Sequence, residues 1–461
     1  MNLNEIHAHP KKHNLNVSSL GKPKLDSPVK GQSFVGENSR ICLATELAQI
    51  ESFKQRNESI PSLEIAGPRK NLFYDPVQTR VAIVTCGGLC PGLNNVIKGL
   101  VEVLTYDYGV KMIFGIRYGY QGLNPRCGLS AISLNPKAVD NIHEAGGTIL
   151  GSSRGDQDPK VMVDTLIMQL NVNILFCIGG DGTLRGAQDI IKEITARKAP
   201  ISVICIPKTI DNDLNLIDRT FGFETCVQSA AEIIKSAHVE ANGIPNGLGL
   251  VKVMGRDSGF IAAHASLASS VTNFCIIPEI PLVLEGSKGL FKALERRFFM
   301  ARKDHAVMVV AEGAGQDLFK AAATKDASGN VLKHDIGHLL VSKITAYFKK
   351  AGKSLNIKYI DPSYIIRSIP ANSSDAIFCF QLAENAVHAA MAGKTDAVVG
   401  SFKGTFVLVP LIYVVSERKK IDTESALWHA VLGSTRQNDY FTDSSFENEL
   451  PNRSASMDWQ N

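Results

Sequence analysis

Residues 174–183 read Ile174-Leu175-Phe176-Cys177-Ile178-Gly179-Gly180-Asp181-Gly182-Thr183. An unbroken apolar run without polar alternation marks a parallel strand covered on both faces. Glycines end the run, and helical spacing follows over Gly186–Ile194. Strand, tight turn and helix in that order form half of a βαβ unit. The pattern repeats outward in both directions. Apolar runs at Val81–Cys86, Met112–Ile116, Val203–Ile206, Leu248–Met254, Phe274–Ile277 and Ala306–Ala311 predict further buried strands. Segments with helical periodicity separate them, at Leu93–Leu104, Val161–Leu170, Cys226–Ala237, Leu290–Phe299, Ile336–Phe348 and Ile377–Met391. This alternation predicts an α/β protein of two doubly wound lobes with a cleft between them. No repeat at solenoid periods is present.

Composition narrows the class. The chain has 461 residues, 44% hydrophobic and 20% charged, enough for a sizeable core without disulfide or metal staples. Its 49 basic and 45 acidic residues leave a net charge of +4, which argues against an electrostatic nucleic-acid binder. The longest apolar run, Phe406–Val415, is too short for a membrane span. Neither end carries a recognisable targeting address, so a cytoplasmic location is expected. Of the nine cysteines, Cys86, Cys177, Cys205, Cys275 and Cys379 sit in apolar runs, as buried thiols do in a reducing compartment. Cys86 and Cys90 form C-x-x-x-C without a second pair and are not read as a zinc site. Residues 1–77 read as a polar, partly disordered arm with one amphipathic stretch, Ile41–Phe53; residues 439–461 read as a tail.

Ligands of doubly wound folds bind at the carboxyl ends of the strands, and three turns there carry chemistry. After Val81–Thr85 comes Cys86-Gly87-Gly88-Leu89-Cys90-Pro91-Gly92-Leu93-Asn94, where glycines permit close backbone approach and a helix start offers free N–H groups to an anion. After Ile174–Ile178 comes Gly179-Gly180-Asp181-Gly182-Thr183, an acidic residue among glycines, suited to Mg²⁺ with phosphates. The same string occurs in nucleotide kinases acting on lipids and on dinucleotides, so it points to a nucleoside triphosphate and to no particular acceptor. After Val203–Ile206 comes Pro207-Lys208-Thr209-Ile210-Asp211-Asn212-Asp213. Two carboxylates beside a lysine suit phosphoryl transfer to a hydroxyl: one accepts the alcohol's proton, one helps hold Mg²⁺, and the cation offsets the moving charge.

Together with Val253-Met254-Gly255-Arg256 and Pro362-Ser363-Tyr364-Ile365-Ile366-Arg367, these strings resemble, in order and spacing, the phosphofructokinase family, from about Arg80 to Arg418. The resemblance implies two Rossmann-like lobes with the active site in the cleft between them. It implies phosphoryl transfer to the 1-hydroxyl of fructose 6-phosphate, giving fructose 1,6-bisphosphate, with Mg²⁺ as cofactor. Carried onto this sequence, it makes Asp211 the general base and gives Arg256 the transferring phosphoryl. Gly88, Arg154, Gly155, Gly180, Asp181, Gly182 and Thr183 would hold the nucleotide, and Asp181 with Asp213 the metal. Lys208, Thr209, Ile210, Met254, Gly255 and Glu312 would line the sugar. Lys358, Tyr364 and Arg367 would grip the 6-phosphate, with Ile365 and Ile366 also counted among the substrate-binding residues. The implied donor-binding lobe comprises residues 78–222 plus 366–438, the fructose 6-phosphate lobe 223–365, and the assembly a homodimer or homotetramer.

Two positions depart from short bacterial-type members: Leu89 where they carry Asp, and Gly247 where they carry an arginine that reaches a neighbouring subunit. Donor choice rests on Gly182 and Lys208. Pyrophosphate users carry Asp and Lys there; glycine at 182 leaves room for an α-phosphate, so ATP is expected as donor. The competing readings are a pyrophosphate-dependent enzyme, a catalytically silent regulatory subunit, and a lipid or dinucleotide kinase. The silent subunit is disfavoured by the presence of Asp181, Asp211 and Asp213, and the other kinases by the P-x-x-Y-x-x-R string.

Overall fold

A computed structural model describes residues 3–31, 33–319 and 332–437. The expected tail, 439–461, lies outside them. The longer strands, in chain order, are β1 Arg40–Cys42, β2 Ser62–Ile65, β3 Arg80–Thr85, β4 Met112–Ile116, β5 Ile132–Leu134, β6 Ile174–Gly179 and β7 Ser202–Pro207. They continue with β8 Gly247–Val253, β9 Phe274–Ile276, β10 His305–Ala311, β11 Asn356–Ile360, β12 Ala397–Phe402 and β13 Thr405–Pro410. Every strand expected from an apolar run is present.

The described residues divide into two compact units, 3–231 with 332–334 and 362–420, and 232–319 with 335–361 and 421–437. The first is built on a nine-stranded sheet in the order β1-β2-β13-β12-β7-β6-β3-β4-β5. Its centre, β4-β3-β6-β7-β12, is parallel, and antiparallel strands flank it. The chain winds from β3 out to β4, then returns across β3 to β6, β7 and β12. The order therefore reverses between β3 and β6, the switch point at which doubly wound sheets bind ligands. The second unit holds a four-stranded, all-parallel sheet in the order β9-β10-β8-β11. Its core joins Leu248, Leu250, Met308 and Val310 to Leu340, Ile344 and Phe348 of the helix Ile336–Lys350. Both units are thus α/β, with parallel strands at the centre.

The segment before residue 78 holds more structure than its composition shows. Strands β1 and β2 extend the large sheet through β13, and a helix covers Leu47–Gln55. Ile6, Leu15, Leu43 and Leu63 are buried in the apolar core of the first unit. Glu64, itself buried, is held by Arg69 at 2.9 Å and by Lys394 at 2.7 Å. An amphipathic stretch foreshadows the helix, but single apolar residues in a polar context give no periodicity, so the pairing of β1 and β2 is visible only in three dimensions. The run Phe406–Val415 splits at Pro410 into β13 and a short helix, Leu411–Val414.

Candidate active site

The turns after β3, β6 and β7 meet at the switch point of the first unit. In the turn after β3, Gly87 adopts φ 87°, and a Cβ there would stand 3.3 Å from the Lys208 ammonium, a left-handed position suited to glycine. The loop carrying Arg154 is fastened to this turn. Gly87 N donates to Ser153 O at 3.1 Å, Ser152 Oγ donates to Gly87 O at 2.6 Å, and Thr85 Oγ1 donates to Gly151 O at 2.8 Å. A Cβ on Gly88 would lie 3.4 Å from Arg154 Nη2 and 3.5 Å from Arg367 Nη1. Lys208 Nζ donates to Gly88 O at 2.6 Å. Three cations from distant parts of the sequence thus converge on one glycine turn, a cradle for a polyanion. Burial holds the Lys208 ammonium below its ordinary pKa, with the Arg154 and Arg367 charges acting in the same direction.

Beside this turn the helix Asp181–Ala196 starts directly after β6, with Gly180 as its N-cap. Its first N–H groups add an anion-binding dipole end. A Cβ on Gly182 would meet nothing within 4 Å.

The turn after β7 is a laced loop. Asp211 N donates to Thr209 Oγ1 at 3.1 Å, and Thr220 Oγ1 donates to Thr209 O at 2.6 Å. Asn212, at φ 54°, accepts from Thr220 N at 3.0 Å and donates to Asp218 O at 3.2 Å. The lacing leaves Asp211 half-buried and Asp213 buried. Asp213 Oδ2 and Asp181 Oδ2 face one guanidinium, Arg418, at 3.1 and 3.2 Å. Two hard carboxylate oxygens are chemically suited to be two of the six oxygen ligands that Mg²⁺ takes, though no cluster of three potential ligands is present among the described residues. Arg185 also contacts Asp181, at 3.1 Å. Sequence reading did not single out Arg418 or Arg185.

In the second unit, β8 and β10 end side by side. Glu312 N donates to Val253 O at 2.9 Å and Gly313 N to Gly255 O at 3.0 Å, pinning the Met254–Arg256 turn against Glu312. Lys252, one position before β8 ends, pairs with Asp361 at 2.7 Å and with Asp335 at 3.3 Å. Lys358 is exposed on β11. A Cβ on Gly247 would fall 2.0 Å from Ala241 O, so the backbone here admits no arginine at that position.

Of the expected residues, Gly88, Arg154, Lys208 and Arg367 come together, as do Asp181 and Asp213, and Glu312 with the Met254–Arg256 turn. Arg367, expected on the sugar phosphate, lies beside Gly88 with its guanidinium 4.7 Å from the Tyr364 ring centroid. Tyr364 and Ile365 are exposed, whereas the Ile366 side chain is fully buried and can offer a ligand only its backbone. Ile210 is buried likewise.

The family model described as Phosphofructokinase matches residues 80–390. An ATP-dependent 6-phosphofructokinase of Borreliella burgdorferi is 47% identical over 433 residues, 91% of this chain and 96% of that protein. One of Amycolatopsis methanolica is 45% identical, over 92% of this chain and 95% of that protein. One of Trypanosoma brucei brucei is 48% identical, over 80% and 75%. The crystal structure of a pyrophosphate-dependent phosphofructokinase from Marinobacter aquaeolei superposes with a TM-score of 0.64 at 19% identity, covering 83% of this chain and all of that one. No helix among the described residues is long and apolar enough to cross a membrane.

Proposed function

The chain belongs to the phosphofructokinase family, and from that premise we propose that it is an ATP-dependent 6-phosphofructokinase, moving the terminal phosphoryl of ATP to the 1-hydroxyl of fructose 6-phosphate. The observation that carries this reading is the convergence of Lys208, Arg154 and Arg367 on the Gly87–Gly88 turn, beside the start of the helix Asp181–Ala196. Phosphoryl transfer asks mainly for positioning and charge stabilisation, and these groups supply both. Asp211, on a loop braced at Thr209 and Thr220, accepts the hydroxyl proton. Lys208 and Arg154 offset charge on the moving phosphoryl, a role the family resemblance also gives to Arg256. Gly180 to Thr183 present backbone N–H groups to the donor, and the open space at Gly182 leaves room for an α-phosphate.

Asp181 and Asp213 would hold Mg²⁺, which would supply positive charge to offset that of the donor phosphates. Met254, Gly255 and Glu312 would bind the sugar, and Lys358, Tyr364 and Arg367 its phosphate, with Arg367 also within reach of the donor turn. In domain terms, residues 78–222 with 366–438 would bind the donor and 223–365 the sugar. The nine cysteines all carry free thiols, which supports a reducing, cytoplasmic setting; the family resemblance supports a homodimer or homotetramer.

An assay of the purified protein with fructose 6-phosphate and Mg²⁺, comparing ATP with pyrophosphate, tests the reading. Turnover with ATP is expected. Turnover with pyrophosphate alone would reverse the donor assignment, and none with either would make the chain a silent subunit.

A further inference from the structure

Arg418 lies between the two carboxylates proposed to hold the metal. Its two terminal nitrogens reach Asp213 Oδ2 at 3.1 Å and Asp181 Oδ2 at 3.2 Å. Its backbone is pinned: Arg418 pairs with Leu214 in an antiparallel bridge, and the next residue, Lys419, donates its N–H to Asp213 O at 2.8 Å. Lys419 Nζ also donates to Ile217 O at 2.7 Å and to Asp218 O at 3.0 Å, closing the far end of the loop that carries Asp211. The Arg418 side chain, by contrast, is 27% exposed and has a path to solvent. Arg185, the other cation on Asp181, is anchored elsewhere, donating to Val415 O at 3.0 Å.

We propose that Arg418 is a positioning residue that competes with the divalent cation for Asp181 and Asp213. It holds the two carboxylates at one point and is displaced from them when the metal–donor complex binds. A guanidinium offers donors only, and Mg²⁺ takes oxygens at about 2.1 Å, so a divalent ion at these Oδ2 atoms is opposed by the like charge of the arginine lodged there. Two carboxylates left facing each other would repel; the arginine spares the apo site that repulsion, keeps the pair assembled, and lowers its affinity for free metal. The inference rests on the assignment of Asp181 and Asp213 as metal ligands.

The test is Mn²⁺ binding to the full chain, followed by electron paramagnetic resonance without nucleotide or sugar, so that no turnover enters the readout. Arg418→Gln is expected to tighten Mn²⁺ binding about five- to tenfold, as expected for removing two partly exposed charge contacts. Arg418→Lys, which keeps the charge but cannot fork between two carboxylates, should shift the same way by less, and it serves if circular dichroism shows Arg418→Gln misfolded. Asp213→Asn and Asp181→Asn should weaken binding. If both Arg418 variants bind Mn²⁺ as the parent does, or more weakly, while the Asn variants lose it, the competition is refuted and the metal assignment stands. If the Asn variants bind Mn²⁺ unchanged, the metal assignment itself falls, and the competition with it.

Discussion

The Lys208 ammonium lies 2.6 Å from the carbonyl oxygen of Gly88, joining the turn after β7 to the turn after β3. That carbonyl fixes the cation beside Arg154 and Arg367, at the point where donor charge would develop. Lys208→Met should therefore lower kcat by about two to three orders of magnitude, the usual scale for one preorganised charge-stabilising group. Because burial lowers the Lys208 pKa, and only the charged form helps, the alkaline limb of kcat should fall below the ordinary lysine value of 10.5. Lys208→Arg should move that limb upward. A limb unchanged by the Arg substitution would separate Lys208 from the rate.

Donor choice can be tested at Gly182 without disturbing the fold. A side chain there meets nothing within 4 Å, and an acidic residue in the first turn of a helix is favourable by about 0.3–1 kcal/mol. Gly182→Asp should keep or slightly raise the melting temperature and abolish use of ATP, since the carboxylate would project into the α-phosphate space and repel it. ATP kinetics equal to the parent's would remove the steric account of donor choice.

Much of this site is legible in the chain because its parts are local. Ile174–Gly179 announces itself by five consecutive apolar residues, and the glycines that follow mark where the strand gives way to the helix. Strands buried on both faces are thus visible, the edge strand Phe274–Ile276 among them, while half-exposed strands are not. Asn356–Ile360 has just Ile357, Tyr359 and Ile360 partly covered, with Lys358 exposed between them. β1 and β2 depend on β13, more than 300 residues away, for their place in the sheet. Arg418 illustrates the limit at the site itself. It reaches Asp213 across 205 residues, and nothing in Ser416-Glu417-Arg418-Lys419 refers to T-I-D-N-D. Ion pairs between distant segments leave no periodicity to read.

His388 gives a pH signature of stability. Its ring is buried and its Nδ1 lies 2.7 Å from the Tyr108 hydroxyl, with the Glu384 carboxylate 3.9 Å from Nε2. Burial, followed by the Arg69 charge, lowers its pKa from 6.5 to about 4. Between these values the unfolded chain binds the extra proton, so stability rises with pH. The contribution is complete above pH 6.5 and is lost as pH falls toward 4, by at most about 3 kcal/mol. Urea unfolding at pH 7 and pH 5 should show His388→Gln losing roughly 2 kcal/mol of the parent's pH dependence. An identical slope in parent and variant would mean that the ring titrates normally.

Asp375 has no exposed surface and braces the loop that carries Asp211. Its Oδ2 accepts from Thr225 N at 2.8 Å and Thr225 Oγ1 at 2.6 Å, and its Oδ1 faces Arg219 at 3.2 Å. Arg219 stacks on Phe378 at 4.5 Å and precedes Thr220, whose hydroxyl is bonded to Thr209 O. Removing the carboxylate leaves the two buried Thr225 donors without their acceptor and takes from the partly exposed Arg219 its ion-pair partner, so Asp375→Ala should cost about 2–4 kcal/mol. Asp375→Asn keeps an acceptor for Thr225 and should cost less. Because the brace ends at the Asp211 loop, the Asn variant should lose kcat with little change in the KM for ATP. A cycle of Asp375→Asn with Arg219→Gln should give a coupling of about 1 kcal/mol or more. Additive effects would show that Arg219 and Asp375 act separately, and the loop would then owe its position to the contacts of Thr220, Asn212 and Lys419.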